Sequence, residues 1–159
     1  MSNEMVEIKG MDKLMKKLDE SLWRDPAIKF LNRAGITVQN ETRKLAPVDT
    51  GLLRSSIGVE VDTSKLEVKI GTSIFYAPYQ EYGTGVIVGK ARHFPPGEAL
   101  GLWAARHGYE SGGQVARIIG TRGGLRARRY LRGGLEAAVE KIDGYLRLMM
   151  EEIRRKWLG

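Results

Sequence analysis

A change in hydrophobic period on either side of residues 46–57 constrains the fold of this chain more than any other feature. Before this segment, apolar side chains recur every three or four residues, and after it they alternate with polar ones. The first pattern is typical of a helix and the second of half-buried strands. Between them, Pro47 disfavours helical geometry at Ala46, and Gly51 accepts the backbone angles of a turn. The sequence therefore predicts an α+β fold in which a helix stops at Ala46 and strands follow.

Two helical patterns precede this turn. The first is short and amphipathic, and its apolar residues are Met11, Leu14, Met15, Leu18 and Leu22. Asp25 and Pro26 then supply an N-cap and a first-turn proline, so we expect a second helix to start there and to span residues 26–46. Its apolar face mixes aliphatic and small residues, which favours packing on a sheet over a coiled coil; these residues are Ile28, Leu31, Gly35, Val38, Thr42 and Leu45.

The alternating region predicts two antiparallel strands joined by a hairpin loop at residues 62–65. Its inward residues are Ile57, Val59 and Val61 on one strand and Leu66, Val68 and Ile70 on the other. A third strand is expected to begin near Ser73. Beyond it, three tyrosines at three-residue spacing around Pro78 indicate a helical turn whose rings serve as core or interface anchors: Tyr76, Tyr79 and Tyr82.

The last half of the chain divides into a glycine-rich segment and a long helix. Residues 83–124 hold 11 of the 20 glycines, and the two short helical patterns within them, near Trp103 and Ile118, are too short to be stable alone. We expect residues 83–129 to form a flexible insertion in one domain of residues 1–159, ordered only against neighbouring subunits. Gly133 and Gly134 weaken the start of the last helix, so we expect it to begin after them, with an extended lead-in at Tyr130. Its apolar stripe is Leu131, Leu135, Ala138, Ile142, Tyr145, Met149, Ile153 and Trp157.

The chain is basic and contains no cysteine. Its net charge is +7, and much of the excess lies in one group of arginines that could face DNA: Arg117, Arg122, Arg126, Arg128, Arg129 and Arg132. Such a group attracts the phosphate backbone of a nucleic acid without reading its sequence. A solvated surface or an ion-paired subunit contact would explain the same arginines. Without cysteine, disulfides, thiol catalysis and cysteine-zinc sites are excluded.

Catalytic and membrane functions find little support in the sequence. The stretch from Gly83 to Ala91 resembles a phosphate-binding loop, but Thr84 stands where the first glycine is required and Ala91 where a serine or threonine should hold Mg²⁺. The two histidines, His93 and His107, have no metal-ligand spacing. We therefore expect no enzymatic activity, no cofactor or metal, and no small-molecule substrate. No stretch approaches the ~20 apolar residues of a membrane span, and the first residues have neither the basic nor the apolar region of a secretion signal, so we expect neither a span nor a signal.

Three segments together resemble a family of phage proteins. They are the turn with Pro47, Asp49, Thr50, Gly51 and Leu52; the segment with Tyr76, Tyr79, Tyr82, Gly83, Thr84 and Gly85; and the stretch of residues 128–136 around Leu131. In this order they are similar to the signature of the siphophage tail-completion or neck proteins, the gene-product-ten-like tail components. One departure is Gly133, where the family usually has proline.

The resemblance implies a structural virion protein at the neck or proximal tail. Such a protein would form a homo-oligomeric ring, with a hexamer as one candidate size, and would join the tail to the DNA-filled head. Its partners would be other neck and tail proteins, with transient DNA contact, after assembly in the host cytoplasm. The alternative, supported by charge alone, is a free nucleic-acid-binding protein without sequence specificity.

Overall fold

A computed structural model describes residues 20–158. In chain order the elements are α1 (Glu20–Leu45), α2 (Leu52–Ser56), β1 (Gly58–Asp62), β2 (Glu67–Gly71), α3 (Ala77–Tyr82), a 3-10 turn (Val86–Val88), α4 (Gly97–Arg106), α5 (Gly112–Thr121) and α6 (Tyr130–Leu158). The predicted α+β class, with a short antiparallel sheet and two long helices, is confirmed. The amphipathic pattern from Met11 to Leu18 lies outside the described residues.

The helices α1 and α6 form an antiparallel pair that runs the length of the domain. Lys29 Nζ lies 3.1 Å from Glu152 Oε1 at one end, and Lys141 Nζ lies 2.7 Å from Glu41 Oε1 nearer the other. The hydrogen bonds that Lys141 and Lys44 donate lower the pKa of Glu41. These exposed pairs fix the register of the two helices more than they stabilise them.

Small residues allow α1 to pack closely on two neighbours at once. On one side, a Cβ on Gly35 would lie 2.8 Å from the methyl carbons of both Val59 and Val68, so the glycine seats the helix on the sheet. On the other side, a Cβ on Gly134 of α6 would lie 2.6 Å from Thr42 Cα. The predicted contact with the sheet is therefore present. The predicted apolar stripe of α1 also meets α6, because Gly35 and Thr42 both belong to that stripe.

The hairpin is antiparallel, with Val59 opposite Ile70 and Val61 opposite Val68. Asp62 closes the loop by accepting hydrogen bonds from the backbone N–H groups of Ser64 and Lys65, at 2.9 and 3.1 Å. The Ser64 hydroxyl also donates to this carboxylate and is the main reason that the pKa of Asp62 is lowered. The loop is tied to α1 because Arg24 donates to the carbonyl of Thr63 at 3.1 Å.

Three boundary predictions are wrong. The helix expected to start at Asp25 instead runs through Pro26 from Glu20, because the proline ring is fully buried and that packing offsets the lost backbone hydrogen bond. No third strand occurs among residues 20–158: the Ile74 N–H donates to Thr72 Oγ1, at 3.1 Å, and the chain turns there. The last helix begins at Tyr130, so Gly133 and Gly134 lie inside its first turns.

Gly134 and Gly144 allow a matched test of the contact between α1 and α6. We expect Gly134→Ala to lower the free energy of unfolding by about 2 kcal/mol, because the new methyl group overlaps the backbone of Thr42. Gly144 lies in the same helix with open space around it, so Gly144→Ala should raise stability by about 0.5–1 kcal/mol through helix propensity. Urea unfolding followed by circular dichroism measures both. Equal effects of the two substitutions would contradict the close contact.

Candidate assembly site

The family-like segments meet in one small core. Ala46 and Leu53 flank the first segment, Ala77 belongs to the second and Tyr130 to the third, and all four pack with Ile57. Tyr130 is completely buried, and its hydroxyl has no hydrogen-bond partner among residues 20–158. Burial, with the nearby Glu81 carboxylate as a second cause, raises the pKa of Tyr130 to about 12. The ring therefore acts as a neutral anchor for the start of α6.

A buried carboxylate from α3 caps this helix. Glu81 is only 4% exposed, and its two oxygens accept hydrogen bonds from the N–H groups of Leu131, at 2.8 Å, and Arg132, at 3.1 Å. These donors belong to the first turn of a helix, which has no partners for them and carries partial positive charge. The cap comes from about 50 residues earlier in the chain, which joins the second segment to the third.

Sequence reasoning did not assign a role to Glu81, although it lies within the tyrosine segment. The available signal is an acidic residue between Tyr79 and Tyr82, in a short helix with no other charge. The departure at Gly133 also has a structural account. Its N–H donates to the carbonyl of Arg129 at 2.7 Å, a bond that proline could not form.

The insertion leaves and re-enters the domain at the same place. The N–H of Arg128 donates to the carbonyl of Gln80 at 2.7 Å, and the N–H of Thr84 donates to the carbonyl of Leu125 at 2.9 Å. The N–H of Leu125 also donates to the Thr84 hydroxyl at 3.1 Å. Gly83 has a φ of 69°, and a Cβ there would lie 2.7 Å from Ala127 N. Gly83, Thr84 and Gly85 are buried in this closure, so only Tyr82 of the tyrosine–glycine loop is available to a partner.

Within the insertion, α4 and α5 pack through glycines. A Cβ on Gly97 would lie 2.9 Å from Gly113 N, and the Ser111 hydroxyl caps α5 by accepting from the N–H of Gln114 at 3.2 Å. Neither helix is long, and each supplies the other's packing surface. The expectation that this segment is flexible until it meets other subunits stays a prediction.

The turn after α1 holds the insertion against the domain through what we call the Asp49 latch, formed by Asp49, Arg106 and His107. Asp49 forms an ion pair with Arg106 at the end of α4, and its second oxygen lies 3.7 Å from His107 Nε2. The His107 ring stacks on Trp103 with 3.9 Å between ring centroids. Thr50, Gly51 and Leu52 shape the turn, with Gly51 at φ 84° and the Leu52 N–H 3.4 Å from Thr50 Oγ1.

Two groups of apolar side chains have large exposed fractions, because no other part of residues 20–158 covers them. We call the first the aromatic face: Phe75, Tyr79 and Tyr82, whose exposed fractions are 70%, 46% and 66%. Tyr76, by contrast, packs against the core. We call the second the outer seam, a line along α6 consisting of Leu135, Val139, Leu146 and Met150, each 41–57% exposed.

The residues of the predicted apolar stripe on the C-terminal helix are divided between the domain interior and the surface. Ala138 is completely buried, and Leu131, Ile142 and Tyr145 are half-buried, but Leu135 is half exposed. The helix therefore has one face on the domain and a second apolar face that the domain leaves open.

All six candidate DNA-facing arginines are exposed. They lie on α5 and just after it (Arg117, Arg122), on the segment that returns to the domain (Arg126, Arg128, Arg129), and on α6 (Arg132). Arg132 is paired with Glu136, at 3.0 Å, and the other five form no ion pair with residues 20–158. Arg129 has a φ of 51°, an uncommon angle for a residue with a side chain.

Over the described range, no cluster of acidic residues and histidines has the arrangement of a metal site. Also among residues 20–158, no helix has both the length and the apolar character needed to cross a membrane.

The model of the HK97-gp10-like family, described as "Bacteriophage HK97-gp10, putative tail-component", matches residues 9–83. Residues 9–83 are thus similar to the gene-product-ten-like phage tail components. The resemblance drawn from the motifs is confirmed, and the match covers the first segment and the second segment as far as Gly83. The third segment lies beyond it, but the structure joins that segment to the other two through Glu81 and Tyr130.

This similarity indicates a structural role in a phage tail, a place in the virion and contact with other phage structural proteins. The search of curated proteins and the search of solved structures each returned no match.

The cap on α6 yields a direct test. We expect Glu81→Gln to lower the free energy of unfolding by about 2 kcal/mol, because it removes a buried charged acceptor from two partly buried N–H groups of the first helical turn. Glu136→Gln changes an exposed carboxylate in α6, the helix that Glu81 caps. It should lower the free energy of unfolding by less than about 0.5 kcal/mol. Chemical unfolding of both variants decides the matter, and a loss for Glu81→Gln no larger than the control would show that the cap contributes little.

The Asp49 latch is expected to control the insertion locally. Asp49→Asn should speed amide hydrogen exchange across Gly97–Arg106 by about fivefold, since an exposed ion pair contributes up to about 1 kcal/mol. Exchange in α1 and α6 should stay unchanged. The double variant Asp49→Arg with Arg106→Asp restores opposite charges and should recover most of the protection. Unaltered exchange in α4 for Asp49→Asn would argue against the latch.

Proposed function

We propose that this protein is a tail-completion or neck component that assembles into a homo-oligomeric ring and joins the tail to the DNA-filled head. Its role is structural and involves no catalysis, cofactor or small-molecule substrate. The proposal places the chain at the neck or proximal tail of the virion, after assembly in the host cytoplasm.

One observation carries the proposal beyond the family similarity: many large apolar side chains lie outside the core. Of the eleven buried hydrophobic residues within 20–158, six are alanines, whereas leucines, tyrosines and Phe75 are exposed in the aromatic face and the outer seam. Contiguous exposed apolar surface marks sites of protein association. A ring requires two different patches on each copy, one for each neighbour, and the aromatic face and the outer seam are two candidates.

The arginines support contact with DNA as it passes through such a ring. Five of them are exposed and unpaired within residues 20–158, on the insertion and on its return to the domain. When these side chains neutralise phosphates, they release counterions from the DNA. The resulting attraction does not depend on base sequence and weakens as the salt concentration rises. A channel that conducts DNA benefits from contacts of this kind, because they do not depend on the sequence being passed.

The same arginines favour a second candidate, a free nucleic-acid-binding protein without sequence specificity. The two candidates differ in what the isolated chain does. A free binding protein would bind duplex DNA tightly as a monomer, with a steep salt dependence. A ring component would bind weakly as a monomer, because its arginines act together only when the subunits are assembled.

Immunogold electron microscopy of phage particles is the decisive experiment for the location. With antibody raised against this chain, we expect label at the head–tail junction. Label distributed along the tail would contradict the neck position, and unlabelled particles with the protein free in the lysate would remove the structural role altogether.

For the DNA contact, the variant should remove charge without straining the backbone. We expect Arg126→Gln, Arg128→Gln and Arg129→Asn together to weaken DNA retention in assembled particles. Asparagine is chosen at residue 129 because it tolerates a positive φ. For duplex binding by the assembled protein, the slope of log K against log salt should become shallower by roughly 2–3.

The matched control removes three charges from the far half of α6, by Arg147→Gln, Arg154→Gln and Arg155→Gln. It should leave both DNA retention and the salt slope close to those of the unchanged protein. If both triple variants behave alike, net charge is responsible and the arginine group has no specific role.

A further inference from the structure

We propose that the outer seam of α6 on one copy docks on the aromatic face of the next copy, and that this contact is the ring interface. The inference rests on the proposed ring and specifies its surfaces. The occupant of each surface is therefore a second copy of this chain.

The outer seam has the spacing of a helix-packing surface. Leu135, Val139 and Leu146 are separated by four and seven residues, and half-buried Ile142 and Met149 complete an alternation of four and three. That alternation is typical of a seam that packs on another element along its length. From Leu135 to Met150 the seam is about 22 Å long at ~1.5 Å per residue. The helix α1 covers a neighbouring face of α6, so the exposed side of the seam is unoccupied among residues 20–158.

The aromatic face is a rigid surface of different character. Phe75 is held edge-on to Tyr76 with ring centroids 5.4 Å apart, and Tyr79 stacks on His93 at 5.9 Å. The short helix α3, which carries Tyr79 and Tyr82 and directly follows Phe75 and Tyr76, is fixed to α6 by the Glu81 cap. At ~200 Å² per ring, the three exposed rings offer roughly 350 Å². Aromatic anchors on a fixed support are typical of the centre of a protein interface.

The charges beside the two surfaces are complementary. Lys90 and Arg92 lie in the loop next to His93, and both are exposed without an ion pair to residues 20–158. On α6, the exposed acids beside the outer seam are Glu136, Glu140 and Asp143. Glu136 pairs with Arg132 at 3.0 Å and Asp143 with Arg147 at 2.7 Å, which leaves Glu140 without an ion pair to residues 20–158. Opposite charges at the rim steer association and set its register. One surface is aromatic and bordered by two unpaired bases, while the other is aliphatic and has the unpaired Glu140 at its border, so each fits the other better than it fits itself.

The size of the contact predicts weak association of free copies. Each apolar surface offers a few hundred Å², whereas a stable interface buries about 800 Å² on each partner. The contact should therefore close efficiently only when copies are gathered on the end of a tail. The test consequently uses the full-length chain incorporated into isolated tails as well as the purified chain at high concentration.

The absence of cysteine from the chain makes a direct cross-linking experiment clean. The double variant Tyr82→Cys with Leu146→Cys is treated with a short bis-maleimide and run on a denaturing gel. Residue 82 adjoins the capped end of α6, about 22 Å along the helix from residue 146 at ~1.5 Å per residue. A short linker therefore cannot join the two cysteines within one copy. We expect a ladder of covalent oligomers, and we expect each single-cysteine variant to remain monomeric.

The control is Thr63→Cys with Leu146→Cys, which moves one cysteine to the exposed hairpin loop and should give no ladder. Dimers from Leu146→Cys alone would show that seams pair with each other and would overturn the proposal. Monomers from the Tyr82–Leu146 variant, in tails whose rings are visible by electron microscopy, would overturn these surfaces and leave the ring intact. If wild-type tails carry no ring of this protein, the proposed function fails, and this interface fails with it.

Discussion

The buried carboxylate of Glu81 is the interaction on which the arrangement of this domain depends. It satisfies two N–H groups at the start of α6, and the backbone of the same residue accepts a hydrogen bond from Arg129 at 3.1 Å. One residue thereby fixes the beginning of the longest helix, the position of α3 and the place where the insertion ends. The completely buried Tyr130 follows directly and carries the constraint into the core. Without the cap, the donors of a helix end would be buried without partners, which is costly.

The second constraint is the close contact of α1 with its two neighbours. Gly35 lets it approach the sheet, and Thr42 meets Gly134 of α6. This closeness leaves little volume for large side chains between the elements, so alanines fill much of the interior. The larger aliphatic and aromatic residues are then found on the surface. A domain built in this way is stabilised by close backbone packing and retains its apolar side chains for association, which agrees with a component of a larger structure.

Much of the fold could be predicted from the sequence because local patterns decide it. The end of α1 near Ala46, the two strands with their loop at Asp62 and the short helices of the insertion all follow from periodicity and turn residues. The errors arise where a distant contact outweighs a local preference. Pro26 is accepted within α1 because its ring is buried, and Gly134 lies inside α6 because Thr42 requires it there. The role of Glu81 could not be predicted, since its partners follow about 50 residues later.

The sequence by itself determined the class of fold, the order of the two long helices and the hairpin, and the similarity to phage tail components, because hydrophobic period and short motifs are local properties of the chain. It could not decide which apolar residues are core and which are surface. Leu135 and Ala138 belong to the same predicted stripe, yet one is half exposed and the other completely buried. Likewise, Tyr76 packs inward while Tyr79 and Tyr82 face outward. Only the tertiary structure made these divisions, because a side chain's burial depends on which face its element turns toward neighbours that are distant in sequence.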